Sequence, residues 1–300
     1  MAISESVSLK KIRRRKKMSA KDKIFYVILY TFFLLFIVVT VYPLIRILAI
    51  SFSEQMDYIL TRIFYYPHWS LKNYKELFDN DNTSQGLIIS VLRVVIGTFT
   101  GVMCSSLLAF VLSRKKFMFK KGLSVFWTIT MYAQAGLVPT MVLYRKIYMC
   151  RTFWVYIIPC LVSVLNVMII RTYMKSIPDS LEESAQLEGA GYMRIFISII
   201  MPLCKPVYAA TALFMAAYHW NSWFDTLIYN RFDRQYTTIM YELMKRLVSD
   251  TLIDVQNCAP RRNTPVFAVG CILAAVPMII IYPFFQKWFV TGLTVRGIKE

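Results

Sequence analysis

Six stretches of this 300-residue chain carry no charged side chain: residues 24–45, 94–113, 123–144, 152–170, 206–224 and 264–286. Their lengths are 22, 20, 22, 19, 19 and 23 residues, and they are rich in Phe, Tyr and Leu. A bilayer core is crossed by roughly 20 apolar residues per helix. The pattern predicts an all-α, polytopic membrane protein with six transmembrane helices. The first stretch, behind a basic leader, has some features of a secretory signal. Its apolar run is too long for one, and no small-residue cleavage site follows. It is expected to remain as an uncleaved first span. The chain is expected to comprise a basic segment 1–23, a membrane domain 24–290 and a tail 291–300.

Charge sharpens this reading. Hydrophobic residues make up 57% of the chain and charged ones only 17%, too few for a soluble domain, which is about a quarter charged. The net charge is nevertheless +18. Such a balance suits a nucleic-acid binder as well as a membrane protein, but no segment between the stretches is long enough to build a soluble basic module. With the N-terminus inside, the inner segments 1–23, 114–121, 171–205 and 287–300 hold 21 Lys and Arg, and the outer segments hold 12. That excess follows the positive-inside rule. An even span number places both termini in the cytoplasm. Arg46 and Arg93 lie at outer span ends, and Arg93 is expected to snorkel toward the outer interface. Among six cysteines, only Cys150 and Cys258 both fall outside, where they could pair.

Several chemistries are missing. There is no G-x-x-x-x-G-K-[ST] phosphate loop, no H-E-x-x-H and no G-x-S-x-G, so ATP binding by that loop and the common hydrolase mechanisms lack support. The only histidines, His68 and His219, are far apart, which disfavours a zinc site. None of the six stretches contains Asp or Glu. Ion-coupled carriers usually hold ionisable groups in mid-membrane, so an ion-driven mechanism is disfavoured.

The most informative inner segment runs from residue 178 to 201. Asp179 or Ser180 is a candidate N-cap, with Glu182 or Glu183 three residues on, as in a capping box. Gly189 and Gly191 supply a stop and a turn. A second helical stretch leads to Pro202, placed to open the fifth span. Ser184, Ala185, Gly189 and Ala190 are small enough to sit in a groove of another surface. Glu182, Glu183 and Glu188 put acid on a basic inner face. A capped amphipathic loop lying on the membrane would show the same pattern.

Glu183-Ser184-Ala185, Gly189 and Ile199-Ile200-Met201-Pro202 resemble the E-A-A-x-x-x-G-x(9)-I-x-L-P motif of membrane subunits of bacterial binding-protein-dependent ABC importers. Ser184 replaces the first Ala and Met201 replaces Leu. The segments Tyr218-His219-Trp220-Asn221-Ser222-Trp223-Phe224-Asp225 and Tyr282-Pro283-Phe284-Phe285-Gln286-Lys287-Trp288-Phe289-Val290-Thr291-Gly292-Leu293 are similar to the maltose-type sugar permeases. Within them the similarity points to the complex-oligosaccharide, lipoprotein-type branch of Gram-positive bacteria. The first 23 residues lie outside it.

The resemblance implies a non-catalytic permease subunit in the plasma membrane of a bacterium. Its expected partners are a second permease, two copies of a cytoplasmic ATP-binding subunit, an extracellular substrate-binding lipoprotein and membrane lipid, but no nucleic acid. It carries no cofactor of its own, since the ATPase subunit binds the ATP. Glu182, Glu183, Ser184, Ala185, Glu188, Gly189, Ala190 and Pro202 are the expected ATPase-coupling residues, with Glu183 paired to a basic ATPase residue and Gly189 giving the turn that seats the helix. The tail from Gly292 could also reach the ATPase.

A sugar path needs aromatic faces and hydrogen-bonding groups. Tyr218, His219, Trp220, Asn221 and Trp223 are candidates, with Trp220 and Trp223 three apart on one helix face. An interfacial aromatic belt has the same composition. Gln134 and Asn166 either touch substrate or bridge helices. The outer segments 51–85 and 225–263 are candidate docking surfaces for the binding protein. The alternatives are an ion-coupled secondary transporter, an ABC importer of a non-sugar solute, or a membrane scaffold.

Overall fold

Apolar side chains point outward along almost the whole of α1 (Ala20–Ser51). A helix that is apolar all round is suited to lipid, where the backbone must bond within the helix because no water is present. The computed structural model describes residues 20–53, 69–79, 81–114, 117–133, 135–257 and 264–294. The chain divides into two compact units, Met1–Ile47 and Leu48–Glu300. The described part of the first is α1 up to residue 47.

The second unit is helical. It continues with α2 (Lys72–Phe78), α3 (Asp81–Ser113), α4 (Lys120–Tyr132) and α5 (Leu137–Lys146). Two 3-10 turns, Phe153–Tyr156 and Ile158–Cys160, precede α6 (Val164–Met174) and α7 (Asp179–Leu187). Next come α8 (Tyr192–Leu203), which contains a π-turn at Phe196–Ile200, and α9 (Lys205–Asn221). The chain ends with α10 (Phe224–Tyr229), α11 (Ile239–Asn257) and α12 (Thr264–Thr294). Among the described residues the only β pairing is an isolated bridge, Ser53 with Trp69. Asn73 supports it by donating to the carbonyls of Ser51 and Ser53 at 3.1 and 2.7 Å.

The helix α3 is the centre of this unit and packs against α6, α9 and α11, while α9 also packs on α12. The main core joins Ala109, Phe110 and Leu112 of α3 to Ile170 and Met174 of α6 and to Phe196 of α8. A second core, at Tyr156 and Ile157, receives Ile89 from the other end of α3.

The all-α expectation agrees with this fold, but the six stretches do not become six straight helices. Among the described residues, three helices are long and apolar enough to cross a membrane, and two bent pairs raise that number to five. Stretch 123–144 is split, because α4 ends before an extended Ala133 and α5 starts after Gly136 at φ +84°. Stretch 152–170 bends by 43° between the 3-10 turns and α6, at a new N-cap where the Ser163 hydroxyl accepts from the Asn166 N–H. The helix of the fifth stretch, α9, opens at Lys205 rather than Pro202. Pro202 belongs to α8, and the chain turns by 80° before Pro206 takes an opening position of α9. A proline is tolerated there because the first N–H groups of a helix have no intrahelical acceptor. Residues 1–19 and 295–300, Gln134, Cys258, Arg261 and Arg262 lie outside the described residues. Cys150 is a free thiol.

One close approach depends on glycine. A Cβ at Gly97 of α3 would fall 2.7 Å from His219 Cε1 of α9, and His219 is buried. Gly97→Ala is expected to lower stability by ~1–3 kcal/mol through overpacking. Thermal unfolding of the purified transporter in detergent should show the loss. Gly122→Ala, with open space around the new methyl group, should not.

Candidate functional site

Two buried or half-buried arginines, Arg93 within α3 and Arg114 just past it, gather polar side chains around them. Toward the N-terminal end of α3, Arg93 is fully buried and forms an ion pair with Asp225 of α10. Its Nη1 also donates to Asp225 Oδ1 at 3.1 Å and to the Ser222 carbonyl at 3.4 Å. Its Nε points at His219 Nδ1, 3.4 Å away. The guanidinium lies over the Tyr156 ring, 4.5 Å from the centroid, and Tyr156 donates its hydroxyl to the Tyr236 carbonyl at 2.8 Å. With Nδ1 accepting, the neutral ring carries its proton on Nε2, which is buried without a partner against Gly97.

This arrangement corrects the expectation that Arg93 snorkels. Snorkelling answers the desolvation of a cation by reaching water. Here Asp225, the Ser222 carbonyl and an aromatic face answer it internally. The site links elements distant in sequence, and neighbouring bonds reinforce it. Ser90 of α3 accepts from the Ile239 N–H at the start of α11, at 3.0 Å. Thr226 and Thr238 share a hydroxyl bond of 2.9 Å. Sequence reasoning missed the pair. The available signal was a single cation just before one charge-free stretch and a single acid just after another.

At the C-terminal end of α3, Arg114 pairs with Glu182 of α7. Arg114 also covers the Phe110 ring at 4.8 Å and donates to Ser113 Oγ at 3.0 Å. The second Glu182 oxygen accepts from Gln186 at 3.2 Å. The acidic start of α7 is also favourable for its dipole. The expected N-cap is corrected: Pro178 occupies that position without a side-chain cap, and Asp179 is already helical. A proline presets its own φ near the value needed at a helix start.

The stop at Gly189 is as expected. Gly189 has φ +81°. Its N–H donates to the Gln186 carbonyl, and the Ala190 N–H donates to that of Ala185. This is a Schellman closure, which needs a left-handed residue at that position. Ala185 is buried in the main core with Ala190 against it. Glu183, Ser184, Leu187 and Glu188 lie on the exposed side, with Leu187 90% exposed. One face of α7 is therefore fixed to the membrane domain and the other is free.

The path candidates separate. Tyr218 and Asn166 line one cavity of about 330 Å³ together with Ser163, Phe214 and Cys160. His219 and Trp220 are buried elsewhere, and Trp220 donates its indole N–H to the Ala274 carbonyl of α12 at 2.8 Å. Trp220 and Trp223 do not share a helix face, because α9 ends at Asn221 and Ser222 is extended. Asn221 is exposed and bonds the Ala217 carbonyl of its own helix at 2.9 Å. Trp223 is half-buried.

Removing one member of the Arg93–Asp225 pair should be worse than removing both. Arg93→Met or Asp225→Leu is expected to cost ~3–5 kcal/mol, because each leaves an uncompensated buried charge, whereas the double substitution should be far milder. A double-mutant cycle on thermal unfolding in detergent measures the difference.

No family model matches the chain. It is 27% identical over 286 residues to the polygalacturonan/rhamnogalacturonan transport system permease protein YtcP of Bacillus subtilis (strain 168), covering 93% of this chain and 99% of that protein. It is 30% identical over 269 residues to the galactooligosaccharides transport system permease protein GanQ of the same organism, covering 87% and 91%. Its fold matches a solved bacterial ABC transporter involved in import of the acidic polysaccharide alginate, with TM-score 0.82, 24% identity and coverage of 91% and 99%. It also matches, with TM-score 0.55, 16% identity and coverage of 89% and 94%, a bacterial alginate ABC transporter in complex with alginate pentasaccharide-bound periplasmic protein. Helices suited to the membrane, a capped loop helix with one free face and end-to-end similarity to such permeases agree, and the chain belongs to the carbohydrate ABC transporter permease family.

Proposed function

We propose that this chain forms one of the two membrane-spanning halves of an ATP-driven importer that takes up an oligosaccharide delivered by an extracellular binding protein. In this reading α7 is the coupling helix seated in a cytoplasmic ATPase subunit. The observation that carries it is the division of α7 into a fixed face and a free one. The free face offers Glu183 for an ion pair, Ser184 for close approach and Leu187 for an apolar socket. Hydrolysis belongs to the partner subunit, present in two copies, and this chain contributes no catalytic group.

The end bearing α7 is the cytoplasmic one. Lys120, Arg171 and Lys175 gather there. Arg171, then partial desolvation, then Lys120 hold the Lys175 pKa below its ordinary value. Such crowding of cations fits the cytoplasmic side, and it supports placing both termini inside. The Arg93 end then faces outward, with the cavity beneath Tyr218 and Asn166 as the sugar path. An aromatic face and an amide are the groups a sugar ring needs. The buried outer charges are already paired with each other, which supports ATP rather than an ion gradient as the driving force.

The transporter reconstituted in nanodiscs with its ATPase and binding protein tests this. Loaded binding protein should stimulate ATP hydrolysis for some members of a glycan panel. Glu183→Lys changes an exposed side chain, so insertion should be normal while stimulation and uptake are lost. Gly189→Leu puts its Cβ in open space, but places a side chain in the left-handed region at ~1–2 kcal/mol, and should also uncouple. Normal uptake by both variants, or uptake that survives ATP depletion, would sink the assignment.

A further inference from the structure

Among the described apolar segments, α3 differs from the others. α1 contains Pro43, and α12 contains Pro277 and Pro283. The α6 and α9 segments each follow a bend, of 43° and 80°. α3 runs unbroken for 33 residues without proline, about 50 Å at the helical rise. It also anchors two ion pairs, one short of its midpoint and one just past its last residue: Arg93 to α10, and Arg114 to α7. The 21 positions between the two arginines correspond to about 30 Å.

The Arg114 contact is built as a joint between two bodies. The guanidinium is held on α3 by Phe110 and Ser113. The carboxylate is held on α7 by Gln186. Both side chains are mostly buried, 13% and 15% exposed, so salt screens their attraction weakly. Glu182 and Arg114 are 68 residues apart. The pair therefore ties α7 to a helix other than α6 and α8, its neighbours in the chain.

We propose that Arg114 is a positioning residue for transport: it fixes the coupling helix to the inner end of α3, and α3 carries the movement to the Arg93–Asp225 pair about 30 Å further along. This rests on the reading of α7 as the ATPase-docking helix. Without this pair, α7 would be held only by Ala185 in the main core and by its chain neighbours α6 and α8. With the joint closed, a shift of α7 displaces a helix that runs 33 residues without a proline. Through Arg93 that helix is bonded to Ser222 and Asp225, in the chain that follows α9. The same linkage runs in reverse, so docking of the binding protein outside reaches the ATPase inside.

The test uses the complete transporter in nanodiscs and compares Arg114→Glu, Glu182→Arg and the charge-swapped double variant. Arg114→Glu should retain ATPase co-purification and binding-protein affinity, and each single variant should lose about tenfold in binding-protein-stimulated hydrolysis and in uptake, the scale of coupling between neighbouring charges. The swap should restore both. Singles that transport normally, or a swap no better than the singles, would overturn the inference. If Arg114→Glu does not assemble, Arg114→Met and Arg114→Lys decide. Lys keeps the charge and should support uptake, Met should not, and equal uptake by the two counts against the joint. Glu183→Lys run in parallel separates the two readings. Normal uptake there removes the coupling-helix reading itself, whereas loss there with a normal Arg114→Glu removes only the joint.

Discussion

A guanidinium buried among apolar helices must be neutralised where it lies, and much of this fold follows from that requirement. Arg93 has no exposed side-chain surface. Its charge is met by Asp225, by a carbonyl and by the Tyr156 ring. These groups come from the break after α9, from α10 and from a 3-10 turn. None of those elements is regular or long, so their placement depends on what they bond to. His219 completes the shell, and Gly97 leaves the space for its ring. The irregular backbone at this end is thus held in place by charge, in a setting where a loose polar group would be costly.

The opposite end of α3 uses the same chemistry at lower burial. Arg114 and Glu182 are partly accessible, and the helix they anchor has an exposed face. That difference suits their surroundings. A joint that must move with a soluble partner benefits from access to water, whereas a clasp inside the membrane domain must not come undone. The Schellman closure at Gly189 ends α7 sharply and returns Ala190 to the core. The helix therefore projects without loosening the segments on either side.

Aromatic residues illustrate how position overrides type. Trp220, Trp223 and Tyr218 lie within six positions, and in sequence they form one aromatic cluster. In the fold Trp220 seals α9 against α12, Trp223 takes the N-cap position of α10, and Tyr218 opens on a cavity. The break at Ser222 separates Trp223 from the other two, which both lie on α9. Its cause lies in the tertiary bonds of Arg93 and Asp225, which require the chain to leave the helix there.

The sequence by itself determined the features that depend on neighbours along the chain. Apolar length marked segments for lipid, the glutamates stood out on a basic face, and Gly189 marked a left-handed stop. The motif around Glu183 and Gly189 carried the family. Sequence could not fix where the apolar stretches break. A helix end inside a membrane protein is set by what satisfies its backbone, and at Ser222 that partner is Arg93 of a distant helix. Nor could it pair Arg93 with Asp225, 132 residues away. Alone, each reads as a charge near a span end seeking water. Only the tertiary structure brings them together, because the energy that keeps either one buried exists only when the other is already there.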